Sequence, residues 1–119
     1  MRGLEDHLQA VCLEGVPART LPLASDSTDA IFAVNTLQYM ADPLPYLKEV
    51  ARVLSPLGTL LIADWQRNVG NGRRTPFFGY TPTELGPLLD TAGLDAHLQI
   101  ALDGYAWAVR AVKPAVVFA

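Results

Sequence analysis

Two short apolar runs with an amphipathic segment between them constrain this chain more than any other feature. Residues 30–34 read AIFAV and residues 59–63 read TLLIA. Neither run alternates with polar residues, the pattern of strands buried on both faces as in parallel sheets. Between them Leu44, Leu47, Val50, Ala51 and Leu54 recur at i, i+3, i+6, i+7 and i+10, with Lys48, Glu49 and Arg52 off that stripe. This is the period of a helix with one buried face. Asp42 followed by Pro43 marks its start, as N-cap and first helical position. Pro56 and Gly58 mark its end. Strand, helix, strand in this order predicts a βαβ unit with parallel strands and a right-handed crossover.

The rest of the chain can be placed around that unit. Leu4, Leu8 and Val11 are spaced as on a short opening helix, which overlaps a candidate strand at residues 10–13. Residues 66–80 (QRNVGNGRRTPFFGY) form a fifteen-residue loop with three glycines and three arginines. Thr81, Pro82, Thr83 and Glu84 make a capping box. Leu85, Leu88, Leu89 and Ala92 give the stripe of the helix that follows, and Gly93 its stop. Gly86 and Pro87 inside it predict an irregular helix. Residues 94–102 alternate strictly and predict a half-exposed strand; Asp103-Gly104 is a hairpin signal. Residues 105–112 (YAWAVRAV) are apolar on both faces apart from Arg110, as for a strand lying between neighbours. Residues 114–119 read as a tail.

A chain of 119 residues, half of them apolar, has the material for one domain and a core. With a formal net charge of −3 and no basic stripe, there is no electrostatic case for nucleic acid. No apolar run approaches the roughly 18–20 residues of a membrane span. Glu5, Asp6 and His7 occupy the place where a signal peptide needs an apolar run. The single Cys12 makes no internal disulfide; a soluble, cytoplasmic protein is the expectation. Cys12 lies between Val11 and Leu13, as a buried thiol would. One cysteine with His7 and His97 on predicted polar faces reads out no metal site.

Leu21-Pro22, the turn-rich stretch up to Asp29, Leu37-Gln38-Tyr39, and Glu49-x-x-Arg52-Val53-Leu54-Ser55-Pro56-Leu57-Gly58 form a composite pattern over residues 14–113. It resembles the C-terminal half of class I S-adenosylmethionine-dependent methyltransferases, most closely the small-molecule branch of ubiquinone and menaquinone biosynthesis. The resemblance implies an α/β, Rossmann-like sheet, mostly parallel, with a C-terminal antiparallel hairpin. It implies methyl transfer from S-adenosylmethionine to a small-molecule acceptor.

The glycine-rich loop and the acidic ribose ligand of that family have no counterpart here, so the N-terminal cofactor-loop half is lacking. Where the family reads G-D-A-E-x-L-P, this chain has Val16-Pro17-Ala18-Arg19-Thr20-Leu21-Pro22, with proline in place of the adenine-binding aspartate. The resemblance leaves Ala18, Asn35 and Thr36 as cofactor-side residues, and Gln38, Tyr39 and Trp65 as residues facing an acceptor. No residue is singled out as catalytic. Arg67, Arg73 and Arg74 are open to an anionic acceptor or to plain solvation, and Glu49 with Arg52 to a surface or loop-tethering pair.

Without the family's other strands, residues 30–34 become an apolar edge, a pairing hazard, in a sheet with about one helix per face. Three readings therefore stand side by side. The chain is a methyltransferase, a non-catalytic methyltransferase-like subunit joined to the same or another chain through that edge, or a truncated product without activity of its own.

Overall fold

A computed structural model describes residues 20–65, 78–102 and 106–115. The opening helix, the strand at 10–13, Cys12, Ala18, the loop arginines, and the hairpin tip at 103–104 lie outside these residues.

The predicted βαβ unit is present. Strand β1 (Thr28–Val34) leads through a one-turn helix, Leu37–Tyr39, into α1 (Leu44–Val53), and from there directly into β2 (Leu54–Trp65). β1 and β2 pair in parallel, with Ala30 opposite Thr59 and Val34 opposite Ala63. α1 starts one residue later than expected: Pro43, not Asp42, is its N-cap and provides no side-chain cap, while Asp42, one position further out, accepts the Leu44 N–H on its Oδ1 at 3.2 Å. The buried side of α1 is Tyr46, Leu47, Val50 and Val53. The Pro56–Gly58 turn is not separate from the strand: Leu54 already pairs with Thr28, and a register irregularity absorbs the turn.

Leu57 explains that irregularity. Its φ of 68° lies in the left-handed region, where a Cβ crowds the following carbonyl. Gly58 is required for space instead: a Cβ there would sit 2.7 Å from the Ser55 carbonyl oxygen and 3.2 Å from that of Thr28.

After the long loop come α2 (Pro82–Ala92), β3 (Asp95–Ala101) and β4 (Ala106–Val112). The capping box forms in both directions between Thr81 and Glu84, and Gly93 ends α2 at φ 88°. Pro87 does not interrupt α2, contrary to the irregular helix expected. β4 lies between β2 and β3 and is antiparallel to both. The sheet order β1-β2-β4-β3 thus holds one parallel and two antiparallel pairings among the described residues. "Mostly parallel" is corrected to mixed: three strands run the same way, but inserting β4 between two of them makes both of its pairings antiparallel.

Both α1 and α2 cover the same sheet face; the opening helix expected from the sequence lies outside the described residues. Register places Ala33, Ile62 and Val109 side by side on that face, and they share one core with Leu47, Val50, Val53, Leu85, Leu89 and Trp107. On the other face Phe32, Leu61, Arg110 and Leu98 form one row, and Val34, Ala63, Ala108 and Ile100 the next. Phe32 is 71% exposed and Val34 57%. Residues 30–34 are therefore buried on one face only, and β3 is exposed along its whole length. An uninterrupted apolar run signals the absence of a polar face, and says nothing about what covers the second apolar one.

Arg52 and Glu49 resolve as a tether. The Arg52 guanidinium donates to the carbonyls of Leu21 and Leu23 and to Ser25, and Glu49 accepts the Leu21 N–H. The hydrogen bond from Arg52, and then that from Leu21, holds the Glu49 carboxyl below its ordinary pKa. The pair fastens the segment entering β1 onto α1.

Candidate functional site

In open α/β sheets ligands bind beyond the carboxyl ends of the strands. Here those ends carry Val34 and Asn35 after β1, and Ala63, Asp64 and Trp65 at the end of β2. With Leu102 and Ala106 they line an open depression of about 240 Å³. Ligand sites usually enclose roughly 300–1,000 Å³, so this depression is smaller than a usual ligand site.

Asn35 makes the turn out of β1. Its N–H extends the parallel ladder to the Ala63 carbonyl at 2.9 Å, and its φ is 53°. Asparagine tolerates this left-handed geometry better than most residues. The backbone thus accounts for the residue type, while the exposed side-chain amide carries no hydrogen bond among the described residues. Thr36 follows, half-buried, with Oγ1 donating to the Val34 carbonyl at 3.1 Å.

Asp64 was not anticipated, yet it organises this corner. Burial alternates along β2, and Leu60, Ile62 and Asp64 share the inward side. A carboxylate at the third inward position of an apolar strand is the signal that could have found it. Its Oδ1 accepts the Thr36 N–H at 2.9 Å, while Oδ2 is buried without a partner. Burial pushes the carboxyl up to about 6, against the pull of the Thr36, Leu37 and Asn35 N–H groups. Burial, and then the Asp64 charge, raises the pKa of Tyr46 as well. Asp64 points inward, so it holds the turn and offers no accessible base.

Of the acceptor-side residues, Gln38 is turned inward: it is buried, and its Oε1 accepts the Trp65 N–H at 3.0 Å. It does not face an acceptor directly, because its acceptor oxygen closes the backbone at the end of β2. Tyr39 stands exposed on the one-turn helix, and Trp65 is half-buried on the wall of the depression. The structure brings Asn35, Thr36, Gln38 and Trp65 together at one corner. His97 lies apart, on exposed β3 where the register with β4 slips. Among the described residues no group of His, Cys, Asp and Glu could hold a metal ion.

Of the cofactor contacts that the family resemblance implies, this wall fits one side. The Asn35 amide, unpartnered among the described residues and beside a small concavity, suits the polar end of a ligand, but the described residues include no ribose or adenine ligand.

A methyltransferase domain family profile matches residues 4–62. Methyltransferase GfsG of Streptomyces halstedii is 44% identical over 62 residues, covering 52% of this chain and 21% of that protein. A SAM-dependent methyltransferase from Aquifex aeolicus shares the fold with a TM-score of 0.73 at 27% identity, over 92% of this chain and 58% of that one. A Haloferax volcanii putative methyltransferase, in complex with its Trm112 activator, gives 0.70 at 21% identity, over 82% and 59%. The chain thus spans about a fifth of the curated relative and under two thirds of these solved chains. In fold and in sequence the chain is thus similar to part of the class I S-adenosylmethionine-dependent methyltransferase domain.

Proposed function

We propose that this chain takes part in methyl transfer from S-adenosylmethionine to an oxygen, nitrogen or carbon of a small molecule, in the manner of the small-molecule branch it resembles. The observation that carries this reading is the corner at the ends of β1 and β2. There a left-handed Asn35 leaves its amide without a hydrogen bond among the described residues, beside a concavity that Trp65 walls. S-adenosylmethionine, when bound, supplies an electrophilic methyl group. Asn35 binds its methionyl end and Thr36 lines the same side. Tyr39 and Trp65 orient the acceptor and keep water from it; positioning of this kind is the main demand of such a transfer. Calorimetric titration of the chain with S-adenosylmethionine tests the reading. Saturable heat that Asn35→Ala weakens supports it, and no heat up to millimolar cofactor sinks it for this chain.

A second reading, as a subunit that joins another chain, is favoured by one observation. The apolar β1 edge and the open face carrying Phe32, Val34, Leu98 and Ile100 are uncovered by any described residue. The Haloferax volcanii relative in complex with an activator is a precedent for partnership in this fold. Size-exclusion chromatography separates the two: concentration-dependent association favours the subunit, and a stable monomer counts against it.

A further inference from the structure

Gln38 stands at the meeting point of three chain segments. Its side chain accepts the Trp65 N–H at 3.0 Å, where β2 ends. Its carbonyl accepts the Phe78 N–H at 2.7 Å and lies 3.4 Å from the Gly79 nitrogen. Trp65 and Phe78 bracket residues 66–77 in the sequence, so one residue holds the chain on both sides of that segment. The arrangement is reinforced around it. Asp64 returns the contact by accepting the Thr36 N–H, 2.9 Å away. The Tyr80 hydroxyl reaches the Met40 carbonyl at 2.5 Å, and the Trp107 indole N–H holds the Tyr80 carbonyl at 2.9 Å.

We infer that Gln38 is a positioning residue for the strand-end site: its side-chain oxygen orients Trp65, and its carbonyl seats Phe78 and Gly79. The chemistry explains the residue type. Gln38 is 2% exposed, and a buried polar side chain is retained only where it is satisfied. An apolar side chain of equal length would leave the Trp65 N–H unpaired. Asparagine, one methylene shorter, would not reach. Trp65 lines the depression while Gln38 does not, so Gln38 acts on the site through Trp65.

This inference rests on the proposed function only for the site's location, and its test needs no cofactor. Amide hydrogen exchange is followed by NMR in the full chain as wild type, Gln38→Met, Gln38→Asn and Gln38→Glu. The expected result is Trp65 exchange about tenfold faster in the Met and Asn variants, on the scale of one lost hydrogen bond. Phe78, whose acceptor is main chain, stays within about twofold, and Leu60 marks global stability. Gln38→Glu, which keeps an acceptor oxygen at the same reach, restores Trp65 protection. Equal acceleration at Trp65, Phe78 and Leu60, unchanged Trp65 exchange, or no rescue by glutamate would overturn the inference. If Gln38→Met does not fold, the Asn and Glu variants decide the question by the same comparison.

Discussion

Replacing Asp64 by asparagine separates the two things its carboxyl does at the end of β2. The amide oxygen can still accept the Thr36 N–H, but the buried negative charge is gone. The wild-type carboxyl moves from its ordinary 3.8 to about 6, chiefly through burial. At about 1.4 kcal/mol per pKa unit, this makes the ionised form costly by roughly 3 kcal/mol at most. The sign follows from proton linkage. The folded state holds the proton more tightly than the unfolded chain, so Asp64's contribution is fully present below about pH 4 and is lost as pH rises through about 6. Asp64→Asn carries no such slope. Glu49 titrates in the opposite sense, since its folded pKa is lowered, but it is common to both proteins and cancels in their difference. Urea denaturation from pH 4 to 8 reads that difference. The variant should match wild type near pH 4 and exceed it by about 1–3 kcal/mol at pH 7.5. A difference that is flat across the range, or that favours wild type at pH 7.5, would refute the reasoning about Asp64.

Leu57→Gly relieves a left-handed residue, worth roughly 1–2 kcal/mol. The glycine's greater unfolded-state freedom offsets about 0.5–1 kcal/mol of that. A net gain of about 0.5 kcal/mol is therefore expected in denaturant melts, with Leu57→Val moving the midpoint the other way. Gly58→Ala should destabilise by about 1–3 kcal/mol, because the new methyl meets main-chain oxygens rather than a flexible side chain; the same melts check it. Phe32→Lys places a charge on the exposed β1 edge. Any self-association seen by sedimentation should fall, with little change in melting, since Phe32 is mostly solvent-exposed already.

The parts of the fold written in local chemistry were legible. The capping box at Thr81, the Gly93 stop and the central β4 all appear where the residues placed them, and α1 begins one residue later than Asp42 and Pro43 indicated. What escaped depends on contacts distant in the chain. Residues 30–34 carry no mark that distinguishes one covered face from two, because Phe32 and Ala33 are equally apolar while only Ala33 belongs to the buried core that includes residues of α1 and α2. The site divides in the same way. Asn35 could be singled out by type and position, and its positive φ explains both. Gln38 reads from the sequence as facing an acceptor, but its inward turn depends on Trp65, 27 residues away. The role of Asp64 is not legible locally, because it requires Thr36, 28 residues earlier, to be brought beside it.

On the proposed function, the ends of β1 and β2 form the cofactor-side wall of a methyltransferase site. Backbone amide shifts of the full chain, recorded as S-adenosylmethionine is titrated to millimolar concentration, test it most directly. Shifts concentrated at Asn35, Thr36, Asp64 and Trp65, and reduced in Asn35→Ala, are the predicted result. Shifts confined to α2 and β3, or none at all, would contradict it.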